Sequence, residues 1–177
     1  LPRALPHIAI DNKNIIDNAG ALDLADVPNE LCIVGAGVIG LEMGSVWKRL
    51  GSNVTILEAM DKFLPASDEQ VAKELYKNLT KQGLVIKTGI KIEAITDNGK
   101  EVSVSYTEAG TTKNQQKFNK LMVAIGRVPN TSGLNADAVG LKLDERGFIV
   151  VDDDCKTNLS NVWAIGDCVR GPMLAHK

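Results

Sequence analysis

Hydrophobic and polar positions change their period several times along the chain, and each change marks an element. Apolar runs at residues 31–34, 54–57 and 84–87 are short and bounded by Gly, Pro or Asn, as expected of strands buried on both faces of a parallel sheet. Between the first two runs a helical stretch is predicted over residues 38–50, with Gly51 as its stop. A second helix is expected to begin at Ser67, a good N-cap, with Gln70 three positions on to complete a capping box. Val71, Leu75 and Leu79 recur every four residues and give that helix one apolar face to about Gln82, where Gly83 can end it. This helix is the crossover that returns the chain to the sheet.

From Lys91 the period falls to two. Ile92, Ala94 and Thr96 alternate with Glu93, Ile95 and Asp97, Asn98-Gly99 is a two-residue hairpin signal, and residues 102–106 alternate again. Residues 108–116 read as a second turn-rich stretch before Phe118 and a buried strand at residues 121–125. Residues 126–130 stop that strand, and a loop carrying Leu134, Val139, Leu141 and Leu143 follows. A turn at residues 144–147 leads into the apolar run 148–151, and residues 162–165 are expected to form a short buried strand ending at Gly166-Asp167. Ahead of the first long strand, residues 1–24 read as an extended approach with at most a short strand or turn, and residues 27–30 as a turn. The whole is α/β: a Rossmann-like parallel sheet with crossover helices and an inserted antiparallel three-stranded meander.

Composition narrows the partners. With 177 residues and 44% hydrophobic content, the chain can bury one sizeable core, in one domain or slightly more. A formal charge of −2 without a basic block gives no reason to expect nucleic acid or an anionic membrane as a partner. No apolar run approaches the ~20 residues of a membrane span, and the first residues do not read as a signal peptide, so a cytoplasmic setting is the default expectation. The three cysteines, Cys32, Cys155 and Cys168, have no paired spacing and read as reduced thiols, Cys32 as a small core residue and not a nucleophile. His7 and His176 lie too far apart in sequence to suggest a metal cluster. The chain starts without methionine and stops at Ala-His-Lys, which reads as a fragment of something longer.

Candidate chemistry concentrates in residues 31–58. Gly35, Gly37 and Gly40 stand in the spacing G-x-G-x-x-G between an apolar strand and a helix, and a second apolar strand ends in Glu58, 23 positions after Gly35. In a dinucleotide-binding unit, the first glycine permits a tight turn, the second lets the backbone approach a pyrophosphate, and the third lets helix pack on strand. Sixteen glycines can generate such a spacing by chance, so a mononucleotide loop or a plain tight turn stays open, with Glu58 an ordinary strand-end acid. As a ribose ligand, Glu58 accepts hydrogen bonds from a 2′-hydroxyl and repels a 2′-phosphate. Ala59-Met60-Asp61 supplies no arginine for such a phosphate, so NAD is favoured over NADP.

The ordered motifs GAGVIGLE, VTILEAMDKFLP, LMVAIGRVPN, TNLSNVWAIGDC and GPMLAHK resemble those of the pyridine-nucleotide disulfide oxidoreductases over essentially the whole chain. The resemblance is strongest to the NAD-linked dithiol dehydrogenases of bacteria. It implies an NAD domain at residues 26–146, with residues 1–25 and 147–177 belonging to an FAD domain that lies mostly elsewhere. It further implies that Gly35, Ala36, Gly37, Val38, Ile39 and Gly40 hold the NAD pyrophosphate, that Glu58 holds the adenosine ribose, and that Ile92 packs beside the adenine. Ala124, Ile125, Gly126 and Arg127 would lie near the nicotinamide ribose, and Glu42 near the nicotinamide carboxamide and the flavin. Asp167 would bind the FAD ribityl chain, and the Ala175 backbone would face the isoalloxazine ring. Two plainer readings stay open: Glu42 as a first-turn acid favoured by the helix dipole, and Asp167 as an N-cap.

In the family, electrons pass from a substrate dithiol to an enzyme disulfide, then to FAD, then as hydride to NAD. The parent is implied to be a homodimer and a component of a 2-oxoacid dehydrogenase complex. No closely spaced redox cysteine pair, second glycine fingerprint or C-terminal histidine–glutamate base stands in these residues, and His176 does not match that base by position. Catalytic residues are therefore not expected within this stretch. Two other functions remain to be weighed: a disulfide or metal-ion reductase of the same family, and a non-catalytic NAD-sensing module.

Overall fold

A computed structural model of the chain describes residues 1–6 and 8–173. In chain order its elements are β1 (Ile15–Ile16), α1 (Asn18–Leu22), β2 (Glu30–Val34), α2 (Val38–Leu50), β3 (Asn53–Leu57), α3 (Glu69–Lys81), β4 (Val85–Lys87), β5 (Ile90–Asp97), β6 (Val102–Glu108), β7 (Thr112–Phe118), β8 (Lys120–Val123) and α4 (Ala136–Val139), with a 3-10 turn at Gly166–Cys168. Residue contacts group them into two compact units, Pro2–Gly126 on one side and Leu1 with Arg127–Lys177 on the other.

The first unit holds a five-stranded sheet in the order β1-β8-β2-β3-β4, with every neighbouring pair parallel. Its strands are nearly continuous apolar runs because both faces are covered. Successive residues feed opposite cores: Leu31 and Ile33 of β2, Val54 and Ile56 of β3 and Met122 of β8 join Leu41, Met43, Trp47 and Leu79 of the helices. Cys32 and Val34, Leu57, and Leu121 and Val123 point the other way, onto Val102, Val104, Tyr106 and Phe118. That second layer is the antiparallel sheet β5-β6-β7, which stands where a doubly wound fold would place a helix. At 0% exposure Cys32 is a core residue, and burial pushes its thiol far above the ordinary range. Lys87 ties the layers at one edge: its Nζ donates to Glu108 Oε2 at 2.7 Å and lies 5.5 Å from the centre of the Tyr106 ring. Glu108 holds the Lys87 ammonium above the usual lysine range.

α2 and α3 both stop as their glycines predict. Gly51 (φ 114°) and Gly83 (φ 92°) adopt the left-handed conformation, and the following N–H groups, of Ser52 and Leu84, reach back to the carbonyls of Trp47 and Leu79. The start of α3 differs from expectation. Its N-cap is Asp68 and not Ser67, since the Asp68 carboxylate accepts from the N–H groups of Gln70 and Val71. Its buried side is also displaced: Ala72 and Leu79 are buried while Val71 is 61% exposed. At about 100° per residue, position 72 lies only about 20° around the helix from 79, whereas 71 lies about 80° away.

The meander departs from strict alternation for a local reason. Between Ile92 and Ala94 the register with β6 shifts, so that Ile92 faces Tyr106, Ala94 faces Ser105, and Glu93 is the extra residue of a β-bulge. The phase therefore flips, and Ile92 and Ile95, not Ile92 and Ala94, pack against the core. The hairpin closes at the pair Asp97 and Val102, so its loop has four residues and not two, with the Asn98 side chain accepting from the N–H groups of Lys100 and Glu101. Residues 112–116, expected as turn, are strand: β7 pairs with β6 from Thr112 to Phe118, and the three residues Ala109-Gly110-Thr111 make the turn, the first two at φ 51° and 75°. β8 ends at Val123, before the expected 125.

The second unit is mostly loops and bridges. Leu1 exchanges backbone hydrogen bonds with Val128, and Ile149 bridges both Leu143 and Val169. The strand expected at 162–165 is a single bridge, Lys156 to Trp163; Ala164 is buried, but Trp163 is 54% and Ile165 74% exposed. Among the described residues no helix is long and apolar enough to cross a membrane.

One packing contact between α2 and the sheet is testable. A Cβ on Gly44 would lie 3.1 Å from Ile56 Cδ1 and 3.3 Å from Ile33 Cδ1 and Leu84 Cδ2. Gly44→Val is expected to destabilise the chain by about 1–3 kcal/mol through overpacking. The check is the midpoint of urea unfolding, which should fall without a large change in slope.

Candidate dinucleotide site

The sheet order puts β2 between β3 and β8, the position at which an open α/β sheet leaves a crevice beyond the carboxyl ends of its strands. The glycine loop is built there. Gly35 leaves β2 at φ 107°, its N–H donating to Leu57 O of β3 at 2.9 Å. On the other side Ala124 N donates to Val34 O at 2.8 Å, and a Cβ at position 35 would lie 2.4 Å from Ala124 O. Only glycine fits that turn. Gly40, on the first turn of α2, is equally constrained, since a Cβ there would lie 2.1 Å from Gly35 O.

Gly37 differs from both. It is the N-cap of α2 in an ordinary extended conformation (φ −75°, ψ 178°), and a Cβ added to it meets nothing within 4 Å. Its smallness therefore serves nothing inside the chain and leaves room outside it. The helix behind it has no side chain capping its first N–H groups, whereas Asp17 caps α1 and Asp68 caps α3. An uncapped N-terminus beside open space is a ready receptor for phosphate oxygens, through its free N–H groups and the positive end of the helix dipole.

Glu58 follows the last residue of β3, half-buried, and four hydrogen bonds fix it. Its N–H donates to Lys87 O at 2.8 Å, its carbonyl accepts from Ile90 N at 2.9 Å, Oε2 accepts from Ala36 N at 2.7 Å, and Oε1 accepts from Met60 N at 2.8 Å. Sequence and structure thus bring Gly35, Ala36, Gly37, Val38, Ile39, Gly40 and Glu58 together. Ile92 and Ile125 pack on the core that also holds Val34 and Leu57, Ala124 packs on the helix side, and Gly126 turns at φ 118°. Glu42 is exposed at the fifth position of α2. It lies beyond the first turn, so the helix-dipole reading of that residue fails.

In the second unit Arg127 and Asp167 form an ion pair, Nη2 to Oδ2 at 3.3 Å. Asp167 lies within the 3-10 turn, whose N-cap position is Ile165, so the capping alternative for Asp167 is not what the chain adopts. Ala175, with His7 and His176, lies outside the described residues.

The family model for pyridine nucleotide-disulphide oxidoreductases matches residues 4–177. The chain belongs to this family. A dihydrolipoyl dehydrogenase of Cupriavidus necator is 54% identical over 99% of the chain, and a mitochondrial dihydrolipoyl dehydrogenase of Pisum sativum is 42% identical over the same share. Among solved structures, the copper(II) complex of the HOCl-induced flavoprotein disulfide reductase RclA from Escherichia coli superposes with a TM-score of 0.86 at 33% identity, covering 99% of the chain. The chain spans 37%, 35% and 39% of these three proteins respectively.

Within this oxidoreductase fold two features escaped the sequence reading. Gly44 is a second glycine of α2 packed on the sheet, four residues after Gly40 on the same helix face, and that spacing is its available signal. The bond from Ala36 N–H to Glu58 had no signal, because a backbone donor carries no residue type. The contrast between the glycines makes a paired test: Gly35→Ala is expected to cost at least about 2 kcal/mol, from strained φ and a backbone clash. Gly37→Ala should cost less than about 1 kcal/mol. Thermal unfolding of the two variants checks both.

Proposed function

We propose that this chain is the NAD-binding portion of a dihydrolipoyl dehydrogenase, a flavoprotein that reoxidises dihydrolipoamide through a redox disulfide and FAD and passes hydride to NAD. The observation that carries the binding half is the uncapped start of α2 beside the open space at Gly37, with the Glu58 carboxylate bonded to the same loop. In this reading Gly35, Ala36, Gly37, Val38, Ile39 and Gly40 take the pyrophosphate, and Glu58 takes the adenosine ribose. Ile92 lies by the adenine, Ala124, Ile125, Gly126 and Arg127 by the nicotinamide ribose, and Glu42 by the carboxamide. Asp167 and the Ala175 backbone would contact FAD. NAD, when bound, supplies the hydride acceptor, and these residues orient it and fix its charge. In the same proposal residues 26–146 are the NAD domain, and residues 1–25 and 147–177 belong to the FAD domain. The parent is a cytoplasmic homodimer serving a 2-oxoacid dehydrogenase complex; the mitochondrial name of the Pisum sativum relative makes an organelle the competing location.

A second reading, a disulfide reductase driven by a reduced nicotinamide, is favoured by the likeness to the Escherichia coli flavoprotein disulfide reductase. The reductase reading admits NADH or NADPH, and Glu58 argues for NADH. Titration of the chain with each reduced cofactor is expected to show NADH at least about tenfold tighter, a difference of about 1.4 kcal/mol. Tighter NADPH binding would sink the assignment of Glu58. Gly37→Ala should weaken NADH binding several-fold while leaving the melting temperature nearly unchanged.

The chain by itself is expected to be inactive. Its three cysteines, Cys32, Cys155 and Cys168, include no closely spaced pair and are all free thiols, so the chain holds no disulfide to accept electrons from a dithiol. Assay of purified chain with dihydrolipoamide, FAD and NAD should show no NADH formation, and turnover would overturn this expectation.

A further inference from the structure

We propose that Glu58, beyond any contact with a ribose, is the positioning residue that holds the glycine loop in its receptive shape before a ligand arrives. This inference rests on the dinucleotide reading of the site and adds a role that the ribose alone does not require. Ordering the loop is costly: Gly35 and Gly37 flank Ala36, and glycines lose more conformational freedom on ordering than any other residue. Few bonds hold it: Gly35 N–H donates to Leu57 O, Gly37 O accepts from Leu41 N, and between them Ala36 N–H donates to Glu58 Oε2. The last is the sole charge-assisted bond of the three, and at 2.7 Å it has the short length of that class.

Glu58 is suited to the task because its own frame is fixed. Its backbone is bonded on both sides, to Lys87 and to Ile90, and its other carboxylate oxygen accepts from Met60 N. The carboxylate therefore arrives at Ala36 from a rigid mount, and the loop takes its position from the end of β3. An ionised carboxylate offers about four acceptor sites. Ala36 and Met60 use two, which leaves two for hydroxyl donors, so the loop bond need not break when a ribose binds. The structure thus assigns one side chain to two parts of a ligand: directly to the ribose, and through Ala36 to the phosphates. Exchanging Glu58 to admit a 2′-phosphate would then also loosen the phosphate receptor.

The test separates the two roles with ADP and 2′,3′-dideoxy-ADP, which lacks the ribose hydroxyls, and with hydrogen exchange of the Ala36 amide in the free chain. Glu58→Ala is expected to weaken binding of the dideoxy compound about tenfold and to raise Ala36 exchange at least tenfold. Glu58→Gln can turn its one amide oxygen to Ala36 only by facing its NH2 toward the Met60 N–H, and it loses the charge, so it should restore both only in part. If Glu58→Ala does not fold, Glu58→Asp replaces it, since it keeps the charge but is one methylene too short to reach Ala36. Unchanged Ala36 exchange and unchanged dideoxy-ADP binding in the Ala or Asp variant would overturn the proposal. Absence of ADP and NADH binding in the unaltered chain would defeat the dinucleotide reading instead, and Ala36 exchange would still decide the loop role.

Discussion

Backbone packs directly on backbone at the mouth of the sheet, and the rest of the site follows from that contact. The carbonyl oxygen of Gly35 occupies the space where a side chain at position 40 would begin, and the carbonyl oxygen of Ala124 does the same to position 35. With no Cβ at either place, β2, β8 and the first turn of α2 come closer together than side chains would permit. That closeness sets where α2 starts, and so where its unpaired N–H groups lie. It also sets the spacing at which the Glu58 carboxylate can reach Ala36.

The covering layers are chosen by the same sheet. A parallel sheet needs both faces dry, and here helices cover one while an antiparallel meander covers the other. The meander is attached at a telling place: Ile90, its first residue, donates its N–H to the carbonyl of Glu58. The acid beside the loop is therefore held by the sheet, by the loop and by the covering layer at once, and a disturbance of the meander at Ile90 reaches the loop through one residue.

How far the chain could be read from its residues depended on what kind of burial each element has. β2, α2 and β3 were legible because strands buried on two faces are written as apolar runs, and because glycine has few other reasons to stand at positions 35, 40 and 51. β7 was not legible: as the outer strand of a small sheet it keeps polar side chains such as Lys113, Gln115 and Lys117 in solvent, and its ladder to Val102, Val104 and Tyr106 of β6 uses backbone groups that every residue owns. The bulge at Glu93 inverted the phase of β5 for a similar reason, since one unpaired residue is invisible to a count of alternation. Asp68 and Ser67 are both able caps, and only backbone geometry chose between them. At residues 162–165 apolar content alone suggests a buried strand, and exposed Trp163 and Ile165 show that content does not report burial.

The place of β8 in the sheet has a consequence for the order of events during synthesis. It sits between β1 and β2, yet it is made last of the five strands, and its partner residues Ile15 and Leu121 are 106 positions apart. Until the ribosome has delivered the whole meander, β2 has an open flank and β1 has no partner at all. Such distant pairing is slow, because loop closure must come before its contacts can form. The nascent chain must wait with a vacant slot beside its most apolar strand, and the late arrival of β8 both closes that slot and brings Ala124 against Gly35. The crevice therefore cannot form before β8 has paired with β2.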